Sequence, residues 1–190
     1  MKLLQSKMIT YLRCAALFSA VVLSLPAQNA GVGINTIKLN GEQVVTFSHT
    51  PDMVFKGTNG ADGLKLEFQG AAPTVPNWMQ ATIPCTWPFP ADGYLELDVR
   101  AGETMNRYFA ITVLTGDGWK YSARLGTPQT GFKFGKEVAK AVVLLSDLKA
   151  EGGRQPKPGA PITGISLVMT TIPEGSPKTV LISEIRLVSE

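Results

Sequence analysis

From residue 31 onward, glycines and prolines divide the chain into short apolar segments, and several of these segments alternate between apolar and polar residues. In "YLELDVR" at 94–100, three aliphatic residues lie on one face of an extended chain and the other four residues lie on the opposite face. In "ISLVM", Ile165, Leu167 and Met169 form a similar apolar face. This period of two is typical of strands that have one face in a core and one face in water.

The spacing of these segments predicts an all-β fold, an antiparallel β-sandwich that forms one domain over residues 31–190. Asp117 and Gly118 lie between two of the segments, and this dipeptide predicts a tight hairpin. The predicted strands are Thr36–Leu39, Gln43–Ser48, Gly63–Phe68, Trp78–Ile83, Tyr94–Arg100, Tyr108–Leu114, Trp119–Arg124, Ala141–Leu145, Ile162–Thr171 and Thr179–Val188.

One segment, residues 136–150, fits two different structures. Val138, Val142 and Leu145 have helical spacing and a pair of glycines follows them, which predicts one short helix. Alternatively, "AVVLL" is a buried strand and "SDLKA" is a single helical turn after it. A continuous apolar run does not distinguish these structures by periodicity, and neither changes the fold class.

The first 30 residues have the order of a secretory signal peptide. Three basic residues precede the apolar run Cys14–Leu25, and small residues with a proline follow it, so cleavage after Ala27 or Ala30 fits equally well. The run is shorter than the roughly 20 residues that a membrane-spanning helix needs. We therefore expect an exported protein, periplasmic, cell-surface or extracellular, without stable membrane insertion after signal cleavage.

The remaining residues carry no excess of either charge. Three of the 18 basic residues lie in the leader and none of the 15 acidic residues does, so residues 31–190 carry fifteen of each sign. A neutral domain without a basic stripe lacks the electrostatic footprint of a nucleic-acid-binding protein, and we expect no nucleic-acid partner. It also lacks a polybasic segment for anionic lipids.

The same residues contain few groups that could carry out catalysis. Cys85 and His49 are the single cysteine and histidine after residue 30, which excludes an internal disulfide and a His-rich metal site. We expect Cys85 to be a small buried hydrophobe rather than a reactive thiol. Glu96 and Asp98 lie two residues apart on one face, a spacing that recurs on any polar sheet surface. We predict a protein that is not an enzyme, and a small hydrolase is the weaker alternative.

The order of the segments resembles a known family. The run "LKLEFQG", "DGYLELDVRA", "RYFAITVLTGDGWKYSARL", "AVVLLSDLK", "ITGISLVMTT" and "VLISEIRLV" is similar to the galactose-binding-like jelly-roll sandwich of carbohydrate-binding modules. In that family the last strand commonly places apolar residues around an acidic one. Here the acidic position is Glu184, and Ile182, Ile185 and Leu187 are the expected buried residues. The resemblance covers nearly all of residues 31–190.

The resemblance implies two kinds of site. Many such modules hold a structural Ca²⁺ near the chain ends, and Glu184 is the position that matches this pattern; the alternative is an ordinary strand residue. No other cofactor is required. The second site is a sugar platform, an exposed aromatic ring with polar neighbours. We expect Trp78 to be a core residue, and the candidate platform and polar residues are Trp87, Trp119, Tyr121, Tyr94, Glu96, Asp98 and Arg100.

Two functions are consistent with these observations. The first is an exported, non-catalytic carbohydrate-binding domain that stacks a sugar on an exposed tryptophan. The second is a structural or protein-interaction domain of the cell envelope on the same scaffold, without a small-molecule ligand. The expected partner is accordingly a carbohydrate or a cell-envelope protein.

Overall fold

The computed structural model describes residues 33–69, 77–103, 105–107, 109–125, 132–170 and 177–190; the predicted leader and its predicted cleavage sites lie outside these residues. The described part contains thirteen strands and two short 3₁₀ turns. The strands are β1 (Gly33–Lys38), β2 (Thr46–His49), β3 (Val54–Gly60), β4 (Gly63–Gln69), β5 (Trp78–Pro88), β6 (Gly93–Ala101), β7 (Met105–Arg107), β8 (Phe109–Thr115), β9 (Lys120–Leu125), β10 (Phe132–Phe134), β11 (Ala139–Leu144), β12 (Pro161–Thr170) and β13 (Lys178–Ser189).

The strands form two main antiparallel sheets. The first sheet has the order β11-β6-β13-β4-β3, and β1 also pairs with β13. The second sheet has the order β2-β5-β12-β8-β9, and β7 and β10 form a separate pair. Apart from the β3–β4 and β8–β9 hairpins, neighbours in each sheet are distant in sequence, as in a jelly roll, so the antiparallel β-sandwich that the sequence predicts is confirmed.

The core lies between the two sheets and follows the predicted alternation. Leu95, Leu97 and Val99 of β6 are buried, and so are the inward residues Ile165 and Met169 of β12. The intervening residues of β6 lie on the outer face of the first sheet. The predicted hairpin also forms, because Gly118 has φ +84° between β8 and β9 and its N–H donates to the Thr115 carbonyl.

Residues 136–150 adopt the strand alternative. Ala139–Leu144 is β11, and Leu145–Asp147 forms a single 3₁₀ turn after it. Val142 and Leu144 face outward while Ala141 and Val143 are buried, so the apolar run serves both faces of an edge strand. No helix among the described residues is long and apolar enough to span a membrane.

The last strand, β13, contains the acidic position that the resemblance indicated. Ile182, Ile185 and Leu187 are buried, as expected. Ile182 and Ile185 are three positions apart, so in a regular strand they would point to opposite faces. Both point inward because the register with β6 shifts between Ile182 and Glu184, where Ser183 is an extra bulge residue. The bulge places Glu184 on the outer face of the first sheet, opposite Asp98.

Candidate functional site

Five hydroxyl side chains lie in one row across the outer face of the second sheet. Each belongs to a different strand, and the strand register aligns them as direct neighbours. Their flanking residues point into the core, so the hydroxyls point away from it. We call them the hydroxyl row: Thr46, Thr82, Ser166, Thr112 and Ser122.

The hydroxyl row is held by short hydrogen bonds. Thr82 Oγ1 and Ser166 Oγ lie 2.8 Å apart, and Thr112 Oγ1 and Ser122 Oγ lie 2.7 Å apart. Gln80 Nε2 donates to Thr82 Oγ1 at 2.9 Å and lies 3.2 Å from Ser166 Oγ. Ser166 is 0% exposed and Thr112 is 8% exposed, so only Thr46, Thr82 and Ser122 are accessible to a further partner. Each of these hydroxyls offers one donor and two acceptor positions. The Gln80 amide carbonyl and the outer hydroxyls are thus oriented by their neighbours.

Trp78 lies on the same face, contrary to the expectation of a core residue. Its side chain is 37% exposed, and it precedes Gln80 by two positions on β5, about 7 Å along the strand. The Trp78 N–H donates to Thr50 Oγ1 at 3.3 Å, and its carbonyl accepts from the Thr50 N–H at 3.0 Å. The backbone that carries this exposed indole is therefore fixed beside the hydroxyl row.

The other two tryptophans lie at the opposite end of the second sheet. Trp119 is 38% exposed in the β8–β9 hairpin, and the Arg154 guanidinium covers one face of its ring at 4.3 Å from the centroid. Trp87 is half-buried and packs against the core. Tyr121 is only 1% exposed, so its ring is a core element and is not available as a sugar platform.

The Trp119 hairpin is ordered by one carboxylate. Asp117 accepts a hydrogen bond from the Thr115 hydroxyl at 2.5 Å and one from the Trp119 N–H at 3.3 Å, and Arg154 lies 3.8 Å from its other oxygen. The Thr115 hydroxyl, followed by the Trp119 N–H and Arg154, lowers the pKa of the Asp117 carboxyl. Arg154 is thereby held over the indole and covers one of its two faces.

The predicted polar residues of β6 share the outer face of the first sheet but do not form one site. Tyr94 and Arg100 lie six residues apart, about 20 Å along the strand. Tyr94 lies in a row with Leu144 and Val188, so its surroundings are apolar. Glu96 and Asp98 lie between these ends, and both are engaged by neighbouring basic side chains.

Arg186 is the centre of that charged cluster. Its guanidinium lies 2.5 Å from Asp98, 2.9 Å from Glu96 and 3.3 Å from Glu184. Lys140 adds a second cation, 2.6 Å from Glu96. Because the Glu184 carboxylate faces Arg186, this structure shows it in an ion pair, and the described residues contain no group of three or more acidic, His or Cys side chains arranged to hold a metal ion.

Cys85 is a free thiol that packs against the core. Burial raises the pKa of this thiol to about 11, so it stays protonated at neutral pH. A protonated thiol is a poor nucleophile, which agrees with the interpretation of Cys85 as a small hydrophobe.

Sequence reasoning missed Trp78 and the hydroxyl row. A signal for Trp78 was present, since Met79, Ala81 and Ile83 alternate with Trp78, Gln80 and Thr82 and so predict an outward indole. The lateral alignment of the hydroxyls was not readable from any one strand, because it depends on the pairing of five strands that span residues 46–170.

This chain is similar in fold to several solved protein structures. No family model matches it and no curated protein matches it. The match to the solution structure of the carbohydrate-binding module CtCBM11 covers 85% of this chain and 98% of the CtCBM11 chain, with TM-score 0.52 and 14% identity. The match to an exo-β-agarase covers 82% of this chain but only 25% of the agarase chain, also with TM-score 0.52 and 14% identity. A family 30 carbohydrate-binding module matches 82% of this chain and 88% of its own, with TM-score 0.48 and 15% identity.

These identities establish the fold alone. The resemblance that the segment order indicated is confirmed at that level by the TM-score of 0.52 over nearly all of CtCBM11. The chain has the β-sandwich jelly-roll fold of carbohydrate-binding modules.

Proposed function

We propose that this protein is an exported, non-catalytic carbohydrate-binding domain that holds a neutral saccharide on the outer face of its second sheet. The observation that carries the proposal is the exposed Trp78 indole beside the hydroxyl row and the Gln80 amide. The fold supports it, because CtCBM11 is a carbohydrate-binding module by name and matches over 98% of its length. The signal-peptide pattern of residues 1–30 supports export.

The chemistry of this face suits a sugar. A saccharide presents apolar C–H faces, which stack on an aromatic ring, and hydroxyls, which need both donors and acceptors. Trp78 supplies the ring, and Gln80 with the accessible hydroxyls of Thr46, Thr82 and Ser122 supplies donors and acceptors on three strands. The five residues of the row are uncharged, which suits a neutral sugar, and Lys149 is paired with Ser122 at one end of the row.

The absence of catalysis is part of the proposal. The thiol of Cys85 is protonated at neutral pH, and Glu96 and Asp98 are engaged in ion pairs with Arg186. A glycosidase pair needs one carboxylic acid and one carboxylate on either side of the scissile bond. Two carboxylates on one strand that share a guanidinium do not provide that arrangement.

Binding of the full-length protein to a panel of neutral polysaccharides tests the proposal. We expect Trp78→Ala to weaken binding at least about tenfold, since aromatic residues that anchor a ligand contribute about 1–2 kcal/mol or more. Trp119→Ala is the matched comparison, because the two indoles are exposed to the same extent. Loss in Trp119→Ala or Trp87→Ala instead would place the platform at the other end of the sheet. Binding unaffected by all three would refute stacking on a tryptophan.

The same assay examines the proposed calcium site. Measurements with Ca²⁺ and with EDTA, on the wild type and on Glu184→Gln, show whether Glu184 acts through a metal. A calcium requirement that disappears in Glu184→Gln supports a structural Ca²⁺. Equal affinities in all four samples support the ion pair with Arg186 as its full role.

One observation favours the second candidate function, a protein-interaction domain of the cell envelope. Ile34, Val142 and Leu144 are exposed aliphatic side chains at the Tyr94 end of the first sheet. Contiguous apolar surface of this kind is typical of protein contacts. Absence of binding to every glycan, together with self-association or capture of an envelope protein that Leu144→Lys abolishes, would favour this alternative.

A further inference from the structure

A groove on the outer face of the first sheet has a chemistry that the hydroxyl row lacks. Two adjoining hollows of about 360 and 350 Å³ share Arg100, Thr179 and Leu181 as lining residues. The β3–β4 hairpin, including Asp62, lines one end, and Lys136 lines the other. Each hollow falls within the size range of small-molecule sites, roughly 300–1,000 Å³. Together they form an elongated groove across β4, β13 and β6.

The strand register arranges the groove around an aliphatic floor. Leu181 of β13 is the direct neighbour of Lys65 on one side and of Arg100 on the other. The two basic residues are therefore about 10 Å apart, with the Leu181 side chain between them. Thr179 lies two positions along β13 on the same face and adds a hydroxyl. We call this arrangement the cationic groove.

The groove is lined by more cations than carboxylates, and two of the cations have no ion-pair partner among the described residues. Three cations line it, Lys65, Arg100 and Lys136, against the single carboxylate of Asp62. Lys65 contacts Glu67 at 2.9 Å, and Glu67 is paired with Thr179 on the same face, so with both carboxylates counted the excess is one positive charge. Arg100 and Lys136 make no ion pair or side-chain hydrogen bond with any described residue, whereas Lys140 and Arg186 each contact two or more carboxylates. Two cations without a partner among the described residues, beside an apolar floor, favour an anionic group on a ligand with an apolar face.

We propose that the cationic groove binds an anionic saccharide unit, a sugar ring that carries a carboxylate or a sulfate ester. The ring lies on Leu181, and its oxyanion lies between Arg100 and Lys136. The identity of the ligand as a saccharide rests on the proposed function, whereas the anion requirement rests on the groove. The groove is on the sheet opposite to Trp78, so the domain has a neutral site and an anionic site on different faces.

Affinity measurements with matched polymers test the proposal on the full-length protein. Dextran sulfate is compared with dextran, and polygalacturonate with its fully methyl-esterified form, so that the members of each pair share a sugar backbone and differ in the charged group. Inorganic sulfate serves as a competitor that carries the anion without the sugar. The groove variant is Arg100→Gln with Lys136→Gln, and the charge-matched control is Lys38→Gln with Lys157→Gln, two exposed lysines outside the groove and outside the hydroxyl row.

We expect the wild type to prefer one or both charged polymers, and the groove variant to lose about tenfold in affinity for them, roughly threefold for each exposed cation. Affinity for the neutral polymers should be unchanged. Binding to the charged polymers should also weaken as NaCl rises from 50 to 500 mM, because exposed charges are screened beyond about one Debye length. Preference for only one polymer pair identifies the sulfate or the carboxylate as the group bound. Full competition by millimolar inorganic sulfate would show that the groove binds the free anion and would overturn the saccharide assignment.

The remaining outcomes separate this proposal from the previous one. Equal losses in the groove variant and in the lysine control would show non-specific charge attraction and overturn the groove. Loss of charged-polymer binding in Trp78→Ala would place the anion on the other sheet and would also overturn it. Binding to charged polymers alone, sensitive to Arg100 and Lys136, would support the groove while refuting the neutral site. Binding to neutral polymers alone would refute the groove and leave the neutral site intact.

Discussion

Replacing Arg186 with methionine should destabilise the fold, because its guanidinium is shared by three carboxylates. Arg186, Glu96, Asp98 and Glu184 are only 16–24% exposed, and the contacts are 2.5–3.3 Å long. Breaking a buried pair costs about 3–5 kcal/mol, whereas a fully exposed pair contributes about 0.2–1 kcal/mol. This cluster lies between those limits. We therefore expect a loss of about 2–3 kcal/mol, or roughly 5–10 °C in Tm for a domain of this size.

The assay is urea denaturation followed by tryptophan fluorescence, with thermal melts by circular dichroism alongside it. Much of the loss comes from carboxylates left without a cation, so adding Glu184→Gln to Arg186→Met should restore part of the stability. The loss should also shrink in 1 M NaCl, where the screening length falls to about 3 Å. If Arg186→Met matches the wild type within about 0.5 kcal/mol, or if the double variant is less stable than the single one, the cluster does not stabilise the fold as argued.

Two further predictions concern local chemistry. Gly93 has φ +128°, and a Cβ there would lie 1.9 Å from the Val188 carbonyl oxygen, so Gly93→Ala should cost at least about 3 kcal/mol in unfolding free energy. Gly60→Ala is the control, because no atom lies within 4 Å of a Cβ built there, and its unfolding free energy should stay within about 0.5 kcal/mol of the wild type. Similar urea midpoints for the two variants would refute this reasoning. Cys85 should react with iodoacetamide at pH 7.5 about 100-fold more slowly than an unperturbed thiol, because burial raises its pKa to about 11 and each unit reduces the thiolate tenfold. Its rate should keep rising up to pH 11, and a plateau near pH 9 would contradict the raised pKa.

The parts of the fold that the sequence predicts are those governed by local periodicity. The buried faces of β6 and β12 are readable from alternation alone, because each residue's side is fixed by its neighbours. β3 is not readable in this way, because Gly57 and Gly60 lie within it and its other residues are half-buried or exposed. Gly57 is required there because a Cβ would lie 2.2 Å from the Phe47 ring of the facing sheet.

The candidate sites were less predictable because they depend on pairing between distant strands. Arg186 meets Glu96 and Asp98 across about 90 residues of sequence, and the bulge at Ser183 sets which carboxylate it faces. Trp78 was assigned to the core because large aromatic rings are commonly buried, yet its own strand alternates so as to place it outside. The cationic groove likewise becomes visible only when Lys65, Leu181 and Arg100 are aligned on three strands.

The pairing of β1 with β13 determines how the domain responds to mechanical force. Gly33 and Ser189 are the pair nearest both ends of the described domain, and the Gly33 N–H donates to Ser189 Oγ at 3.1 Å. Tension applied across the two ends loads this pair first and then opens the strands one hydrogen bond at a time. β13 keeps its contacts with β6 and β4 while β1 peels away. The six residues of β1 would release about 20 Å of chain at low force before the sandwich itself bears load. A domain held from both sides would thus yield by a short extension, with both proposed binding surfaces still folded.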